Sequence, residues 1–229
     1  MSDKPIWALS ATELVKKTKN NDLSATEITF AYLEHIKTIN PELNAIVDDM
    51  SKEAIKRAEN LDSAAKSGDS KGRLFGVPVT VKINVDQRGY ATSNGVSALK
   101  NSIASTNAPI VDHLMNAGAL FVGRTNTPEF SFRAETENPL YGRTHNPWGK
   151  HLSPGGSSGG ASSAVMSGMC ALAHGNDIGG SLRFPSVATG AVTLKPGLGR
   201  VPAWNSSQTN ERGILAQSMS VQGLITRSA

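Results

Sequence analysis

Two short apolar segments with a helix pattern between them constrain the fold of this chain more than any other feature. Residues 74–81 and 119–123 are apolar and rich in β-branched side chains, as strands buried on both faces of a sheet are. Residues 108–116, between them, have the pattern of a helix that ends at Gly118. Strands that alternate with helices predict an α/β fold with a sheet at its centre.

The N-terminal part of the chain is predicted to be helical, with no visible chemistry. Two capping boxes each precede a segment with helical apolar spacing. The boxes run from Ser10 to Glu13 and from Ser24 to Glu27. We expect the second of these helices to stop at Asn40-Pro41, and residues 51–65 predict a third helix. We therefore divide the chain into a helical part, residues 1–72, and a core, residues 73–229.

The composition favours a globular protein over a binder of nucleic acid or membranes. Of 229 residues, 38% are hydrophobic and 18% charged, which is sufficient for a sizeable core. The net charge of +4 comes from lysines and arginines spread along the chain, and aromatic residues make up only 5%. No apolar run approaches the ~18 residues of a membrane helix, and no secretory leader is visible. We expect a cytoplasmic protein with no nucleic-acid or membrane partner.

Neither the cysteine nor the histidines predict a cofactor site. Cys170 is the only cysteine and lies among apolar residues, which favours a buried, unreactive thiol. The five histidines lack the spacing of metal ligands. We expect no metal and no other cofactor.

Lys82 directly follows the first predicted strand. Burial there would disfavour the charged ammonium and lower its pKa, and a neutral lysine can act as a general base. The alternative is a strand-end lysine whose amino group extends to the surface.

Residues 155–160, Gly-Gly-Ser-Ser-Gly-Gly, allow three interpretations. A phosphate-binding loop is disfavoured because no Gly-Lys-Ser/Thr follows. A nucleophile elbow fits the Gly-x-Ser-x-Gly pattern with Ser157 at its centre. A flexible linker is disfavoured because residues 161–173 predict a tightly packed helix of small residues.

A second glycine-serine motif indicates an oxyanion hole. Gly179 and Gly180 place backbone N–H groups just before Ser181, and each donor aimed at a developing oxyanion is worth about 10²- to 10³-fold in rate. An ordinary glycine turn would explain the glycines but not the charges of Asp177 and Arg183 on either side. We expect those two charges to pair and support the loop.

Taken together, these motifs resemble the amidase signature family. The motifs are residues 155–160, Asp177-Ile-Gly-Gly-Ser-Leu-Arg-Phe-Pro185 and Leu194-Lys-Pro196, and residues 125–130 and 138–148 also resemble family segments. The spacing between Ser157 and Ser181 matches that of the family's relay serine and nucleophile. The resemblance implies the amidase signature fold, a mixed twisted sheet covered by helices on both faces. It also implies hydrolysis of a small-molecule amide, with release of an amine or ammonia.

The resemblance implies a role for each matching residue. Lys82 would be the neutral base, Ser157 the proton relay with a cis peptide bond, and Ser181 the nucleophile that forms the acyl-enzyme. The backbone N–H groups expected to hold the oxyanion are those of Ile178, Gly179, Gly180 and Ser181. Ser131 would contribute a backbone contact to bound ligand.

The chain departs from the family pattern at three places. Ile83 stands where many members have aspartate, and Asn176 stands where many have threonine. Residues 220–229 resemble a segment from the middle of family members. We therefore expect the core to be truncated at its C-terminus, without the half that usually supplies part of the sheet and most of the acyl pocket.

Three alternatives remain open from the sequence. The first is an α/β-hydrolase with Ser157 as nucleophile, which the lack of any histidine after His174 disfavours. The second is an amidase-like subunit of a glutamine-dependent transamidase. The third is an inactive partial chain. We also consider a homodimer as one assembly of the protein.

Overall fold

In the computed structural model, which describes residues 4–208 and 210–229, a sheet of six strands forms the centre of the fold. The strands, in chain order, are β1 (Ile46–Asp49), β2 (Pro78–Lys82), β3 (Leu120–Thr125), β4 (Glu137–Asn138), β5 (Gly142–Arg143), β6 (Leu172–Asp177), β7 (Val192–Thr193) and β8 (Val221–Thr226). The sheet order is β1-β3-β2-β6-β8-β7, and β4 pairs with β5 separately. Strand β2 is parallel to β3 and β6, whereas β1 and β8 are antiparallel to their neighbours. The expected mixed sheet is confirmed.

Seven α-helices surround this sheet in the part of the chain that the structure describes. They are α1 (Ala11–Lys19), α2 (Ala25–Leu43), α3 (Ser51–Lys66), α4 (Pro109–Asn116), α5 (Gly159–Met166), α6 (Arg183–Thr189) and α7 (Ile214–Met219). Both capping boxes form, with Ser10 and Ser24 accepting from the backbone of Glu13 and Glu27. None of these helices is both long and apolar enough to cross a bilayer.

Two apolar clusters lie on opposite faces of the sheet. Consecutive strand residues point to opposite faces, and Phe121 and Val122 belong to different clusters. The Phe121 cluster includes Leu14 of α1, whereas the Val122 cluster includes Ala161 and Ala164 of α5. The expectation of helices on both faces is therefore confirmed.

Helix α2 passes the predicted stop at Asn40-Pro41 and ends at Leu43. Proline in the last turn removes only one helical hydrogen bond, so it does not end the helix by itself. The Asn40 side chain binds the chain that follows: its Oδ1 accepts from the N–H groups of Ala45 and Ile46 at 3.0 and 2.9 Å. The helix end is thereby fixed to the start of β1.

The predicted helix over residues 161–173 is wrong in its second half. Helix α5 stops at Met166, Gly168 adopts a left-handed φ of 81°, and β6 then begins at Leu172. Small residues are compatible with a buried strand as well as with a helix, and periodicity cannot separate the two in a short apolar segment. The turn at Gly168 decides the outcome, because it reverses the chain into the sheet between β2 and β8.

The helical part, residues 1–72, also contributes to the central sheet. Its strand β1 pairs with β3 at the edge of the sheet. Residues 1–3 lie outside the described residues, and the boundary at residue 72 stays a prediction. The core and the helical part thus share one sheet.

The buried carboxylate of Asp86 fixes residues 205–207 to the segment that follows β2. Asp86 accepts from the Ser207 N–H at 2.8 Å, from the Ser207 hydroxyl at 2.6 Å and from the hydroxyls of Ser206 and Thr92. The Asp86 N–H in turn donates to Asn205 Oδ1 at 3.0 Å. Burial raises the pKa of Asp86, but these hydrogen bonds outweigh it and lower the pKa below its usual range. We call these contacts the Asp86 anchor.

We expect Asp86→Ala to release the Asp86 anchor. The loss of hydrogen bonds to a charged group should lower the free energy of unfolding by about 1–3 kcal/mol. Amide hydrogen exchange at Ser207 should accelerate relative to the sheet. Asp69→Ala, which removes an exposed carboxylate, is the control. Equal exchange at Ser207 in the two variants would contradict the anchor.

Candidate active site

The candidate site lies beyond the carboxyl ends of the parallel strands β2, β3 and β6. Lys82 is the last residue of β2, and Asp177 is the last residue of β6. Ligands of open α/β sheets bind at this edge, because loops from several strands converge there. The topology therefore brings the predicted base and the predicted nucleophile loop together.

The Lys82 side chain is fully buried, so the surface alternative is wrong. Its Nζ lies 2.7 Å from Ser157 Oγ, 3.2 Å from Ser158 Oγ and 3.0 Å from Asn176 Oδ1. Burial lowers the pKa of Lys82 to about 7, although the charge of Asp177 acts in the opposite direction. An appreciable fraction of the amine is therefore neutral near neutral pH.

Ser157 is fully buried and follows a cis peptide bond to Gly156, as the resemblance implies. A Cβ on Gly156 would overlap the carbonyl oxygen of Arg133, so this close approach requires glycine. The next residue connects the two serine motifs, because the Ser158 N–H donates to the Ser181 carbonyl at 3.2 Å.

Ser181 is half-buried and lines a cavity of about 470 Å³ together with Ser157. Within the described residues, no hydrogen bond joins the Ser181 hydroxyl to Ser157. The structure thus places both serines in one cavity, with Lys82 behind Ser157. Their catalytic roles stay a prediction.

Asp177 and Arg183 pair and shape the loop that carries Ser181. The guanidinium donates from Nε and from an Nη atom to the two carboxylate oxygens at 3.0 and 2.9 Å. The carboxylate also accepts from the N–H groups of Gly180 at 2.8 Å and Leu182 at 3.0 Å. Burial raises the pKa of Asp177, but Arg183 and the backbone donors outweigh it, and the pKa falls to about 2. Asp177 is therefore ionised at neutral pH.

The predicted oxyanion donors differ in their availability. The Gly180 N–H is already used by Asp177, and Gly180 has a φ of 112° that favours glycine. The N–H groups of Ile178, Gly179 and Ser181 have no hydrogen-bond partner among the described residues. Three donors are thus free at the loop beside Ser181.

Ser131 lines the same cavity, in a strained backbone segment. Phe130 and Ser131 have φ values of 50° and 62°, which are uncommon for residues with a side chain. The Ser131 hydroxyl accepts from Asn84 Nδ2 at 3.0 Å and shares a hydrogen bond with Thr127 Oγ1 at 3.1 Å. Ser131 is thus connected to the polar network of the site through Asn84.

The sequence interpretation missed Asn84 and Asn176 as members of the site. Their side-chain amides face each other, with Asn176 Nδ2 donating to Asn84 Oδ1 at 2.9 Å and Asn84 Nδ2 donating to Asn176 Oδ1 at 3.2 Å. Two signals were available: Asn84 matches the asparagine that many family members have two residues after the lysine, and Asn176 departs from the family pattern. Its contact with Lys82 depends on the pairing of β2 beside β6, which the residues around it do not reveal.

A sequence model described as "Amidase" matches residues 27–229. The chain belongs to the amidase signature family. Among curated relatives, an indoleacetamide hydrolase of Bradyrhizobium diazoefficiens is 50% identical over 97% of this chain and 43% of its own length. An acylamidase of Rhodococcus erythropolis is 43% identical over 88% of this chain and 42% of its own length.

More distant relatives include one subunit of the glutamyl-tRNA(Gln) amidotransferase of Caldanaerobacter subterraneus subsp. tengcongensis. It is 38% identical over 86% of this chain and 40% of its own length. A solved structure of a bacterial aryl acylamidase of the amidase signature family superposes with a TM-score of 0.90 at 31% identity, covering 98% of this chain and 46% of that one. The chain thus spans less than half the length of these relatives.

Membership of the amidase signature family overturns the α/β-hydrolase alternative. A nucleophile elbow joins a strand directly to a helix. Here a loop follows β5 and leads through Ser157 into α5, and the nearest preceding strand ends at Arg143. The matching glycine pattern around Ser157 therefore belongs to a different local structure.

We expect Asp177→Ala to destabilise the protein more than Arg183→Ala. The first change leaves the N–H groups of Gly180 and Leu182 without their acceptor, at about 1–3 kcal/mol each. The second removes a guanidinium whose side chain is 54% exposed, and solvent screens the interaction of such a group, so its loss should cost less. Urea unfolding measures both changes.

The Asp177 effect should also depend on pH in a defined direction. The folded-state pKa is depressed from 3.8 to about 2, so the stabilisation is complete above the upper value and is lost as pH falls through the lower one. The difference in unfolding free energy between wild type and Asp177→Ala should therefore shrink between these values. Asp22→Ala, at an exposed aspartate, is the control.

Proposed function

We propose that this chain carries the catalytic centre of an amide hydrolase that forms an acyl-enzyme on Ser181. The observation that carries the proposal is the buried Lys82 amine, 2.7 Å from Ser157 Oγ, in a site that opens onto the cavity shared with Ser181. A lysine with a pKa near 7 is suited to remove a proton at neutral pH.

The proton path follows from this order of groups. Neutral Lys82 takes the proton of the Ser157 hydroxyl, and Ser157 takes the proton of Ser181 as its oxygen attacks the amide carbon. The path then reverses, so that the leaving nitrogen receives a proton and the C–N bond breaks. Water adds to the resulting ester, and Ser181 is regenerated with release of the acid.

Backbone donors would stabilise the tetrahedral intermediate. The N–H groups of Ile178, Gly179 and Ser181 lie in the loop that carries Ser181 and have no hydrogen-bond partner among the described residues, and we propose these three as the donors to the oxyanion. Gly180 remains in the site for its positive φ and for its bond to Asp177. The aspartate thus holds the turn in which the other N–H groups are presented.

We propose an aryl-acyl amide as the substrate class. The relative that is 50% identical is named an indoleacetamide hydrolase, and indoleacetamide carries its aromatic ring on the acyl side of the amide. Apolar side chains of Leu99, Phe130 and Ile178 line the cavity beside Ser181, which suits a flat apolar acyl group. Indole-3-acetamide is therefore the first substrate to test, with ammonia release as the readout.

We expect Ser181→Ala to abolish both ammonia release and labelling by a fluorophosphonate probe. Removal of the nucleophile should lower either rate by about 10³-fold or more. Lys82→Ala and Ser157→Ala should slow labelling while leaving the label on Ser181, identified by peptide mass spectrometry. Ser105→Ala, at an exposed serine, is the control. Full labelling of Ser181→Ala, or a label on Ser157, would refute the assignment.

The labelling rate should rise with pH through about 7. Only the neutral form of Lys82 accepts a proton, so the rate is highest above its pKa and falls as the amine becomes protonated below it. Lys82→Ala should remove this inflection. A flat profile in the unmodified chain would contradict the role of Lys82 as base.

A second candidate is an amidase-like subunit of a glutamine-dependent transamidase. It is favoured by the 38% identity to the glutamyl-tRNA(Gln) amidotransferase subunit of Caldanaerobacter. The two candidates differ in substrate: the transamidase interpretation expects ammonia from glutamine, and only with partner subunits. Ammonia release from indole-3-acetamide by the chain alone would exclude it.

A further inference from the structure

Three oxygen atoms surround the Lys82 amine, and each has a different capacity for hydrogen bonding. They belong to Ser157, Ser158 and Asn176, at 2.7, 3.2 and 3.0 Å from Nζ. A neutral amine has two N–H donors and one lone pair. Which oxygens accept the two N–H groups decides where the lone pair points.

The Asn176 carbonyl oxygen can only accept a hydrogen bond. Its orientation is held by the facing amide, because Asn176 Nδ2 donates to Asn84 Oδ1 at 2.9 Å. Asn84 Nδ2 is in turn held by bonds to Asn176 Oδ1 and to the Ser131 hydroxyl at 3.0 Å. Rotation of the Asn176 amide would break this pair and present N–H groups to the amine.

Ser158 accounts for the second N–H of the amine. Its hydroxyl is directed to the backbone carbonyl of Asn176 at 3.4 Å, which leaves its lone pairs for Lys82. With Asn176 and Ser158 as acceptors, the remaining direction on Nζ faces Ser157. The Ser157 hydroxyl can then donate to the amine and keep its own oxygen free for a proton from Ser181.

We propose that Asn176, held by Asn84, is a positioning residue that directs the lone pair of Lys82 toward Ser157. The catalytic role of Asn176 rests on the proposed function, but the hydrogen-bond arrangement around Lys82 does not depend on turnover. Asn176 acts through Lys82. Many family members have threonine at this position, so the paired amides depart from the family pattern.

Few other charged groups of the described residues lie where they could also change the ionisation of Lys82. Asp177 follows Asn176 on β6 and favours the protonated amine, but its carboxylate is bonded to Arg183 and to backbone donors. His174 of β6 is fully buried, and burial lowers its pKa to about 4, so it is neutral at pH 7. Arg124 of β3 pairs with Asp48, and α5 carries no ionisable side chain.

The test is the ionisation of Lys82 in the whole chain, measured by NMR with ¹³Cε-labelled lysine. The Lys82 signal is identified by its loss in Lys82→Met. Asn176→Asp places a carboxylate against the amine and should raise the Lys82 pKa by about 1 unit or more. Asn176→Leu removes an acceptor that favours the ammonium and should lower it. Asn101→Asp, the same charge change at an exposed site, should leave it unchanged.

The two opposite shifts separate positioning from a merely structural role. Loosening of the site would admit water and raise the pKa toward its ordinary value in both variants. A raised or unchanged pKa in Asn176→Leu therefore overturns the proposal, even if Asn176→Asp fails to fold. The titration needs no substrate, so it remains decisive if Ser181 proves not to be the nucleophile. When the rate at which the fluorophosphonate probe labels Ser181 is measured against pH, its midpoint should follow the Lys82 pKa in each variant.

Discussion

The enclosure of the Lys82 amine is the constraint on which the rest of the site depends. Moving an ammonium out of water costs several kcal/mol even after relaxation, unless an opposite charge compensates for it. Among the residues that the structure describes, the groups within hydrogen-bond reach of Nζ are two hydroxyls and one amide, all uncharged. The amine responds by releasing its proton more readily. Its position at the sheet edge therefore creates an amine that can accept a proton near neutral pH.

Burial has the opposite outcome for the charge of Asp177. Its carboxylate is buried but remains charged, because a guanidinium and backbone N–H groups satisfy its oxygens. Because these partners also interact with the charge of Asp177, that charge does not act on Lys82 alone. The apolar Ile83, at a position where many family members have aspartate, leaves the lysine without a second carboxylate beside it. The carboxylate of Asp177 thus stays charged, whereas the nearby amine of Lys82 is partly neutral near neutral pH.

The sequence predicts this molecule well where the signal is local. The capping boxes at Ser10 and Ser24 act within four residues, and both form. The family motifs correctly predict that Lys82 lies beside Ser157, because they imply the family's sheet and therefore its long-range strand pairing. Hydrophobic periodicity carries no information about that pairing. Strand β6 was missed because its small residues fit either a helix or a strand until Gly168 reverses the chain. The facing amides of Asn84 and Asn176 could not be predicted, because side-chain orientation across two strands is a tertiary property.

Lys82 and Ser157 lie 75 residues apart in the chain, and the Asp86 anchor joins residues up to 121 apart. Contacts of such separation require the closure of long loops, which costs conformational entropy. In a partly folded chain, helices near the N-terminus can already exist while the lysine is still hydrated and protonated at its ordinary pKa. The lowered pKa of Lys82 is therefore a product of completed folding. A nascent or misfolded copy carries the same Lys82 and Ser157 but lacks the burial that lowers the pKa of the lysine.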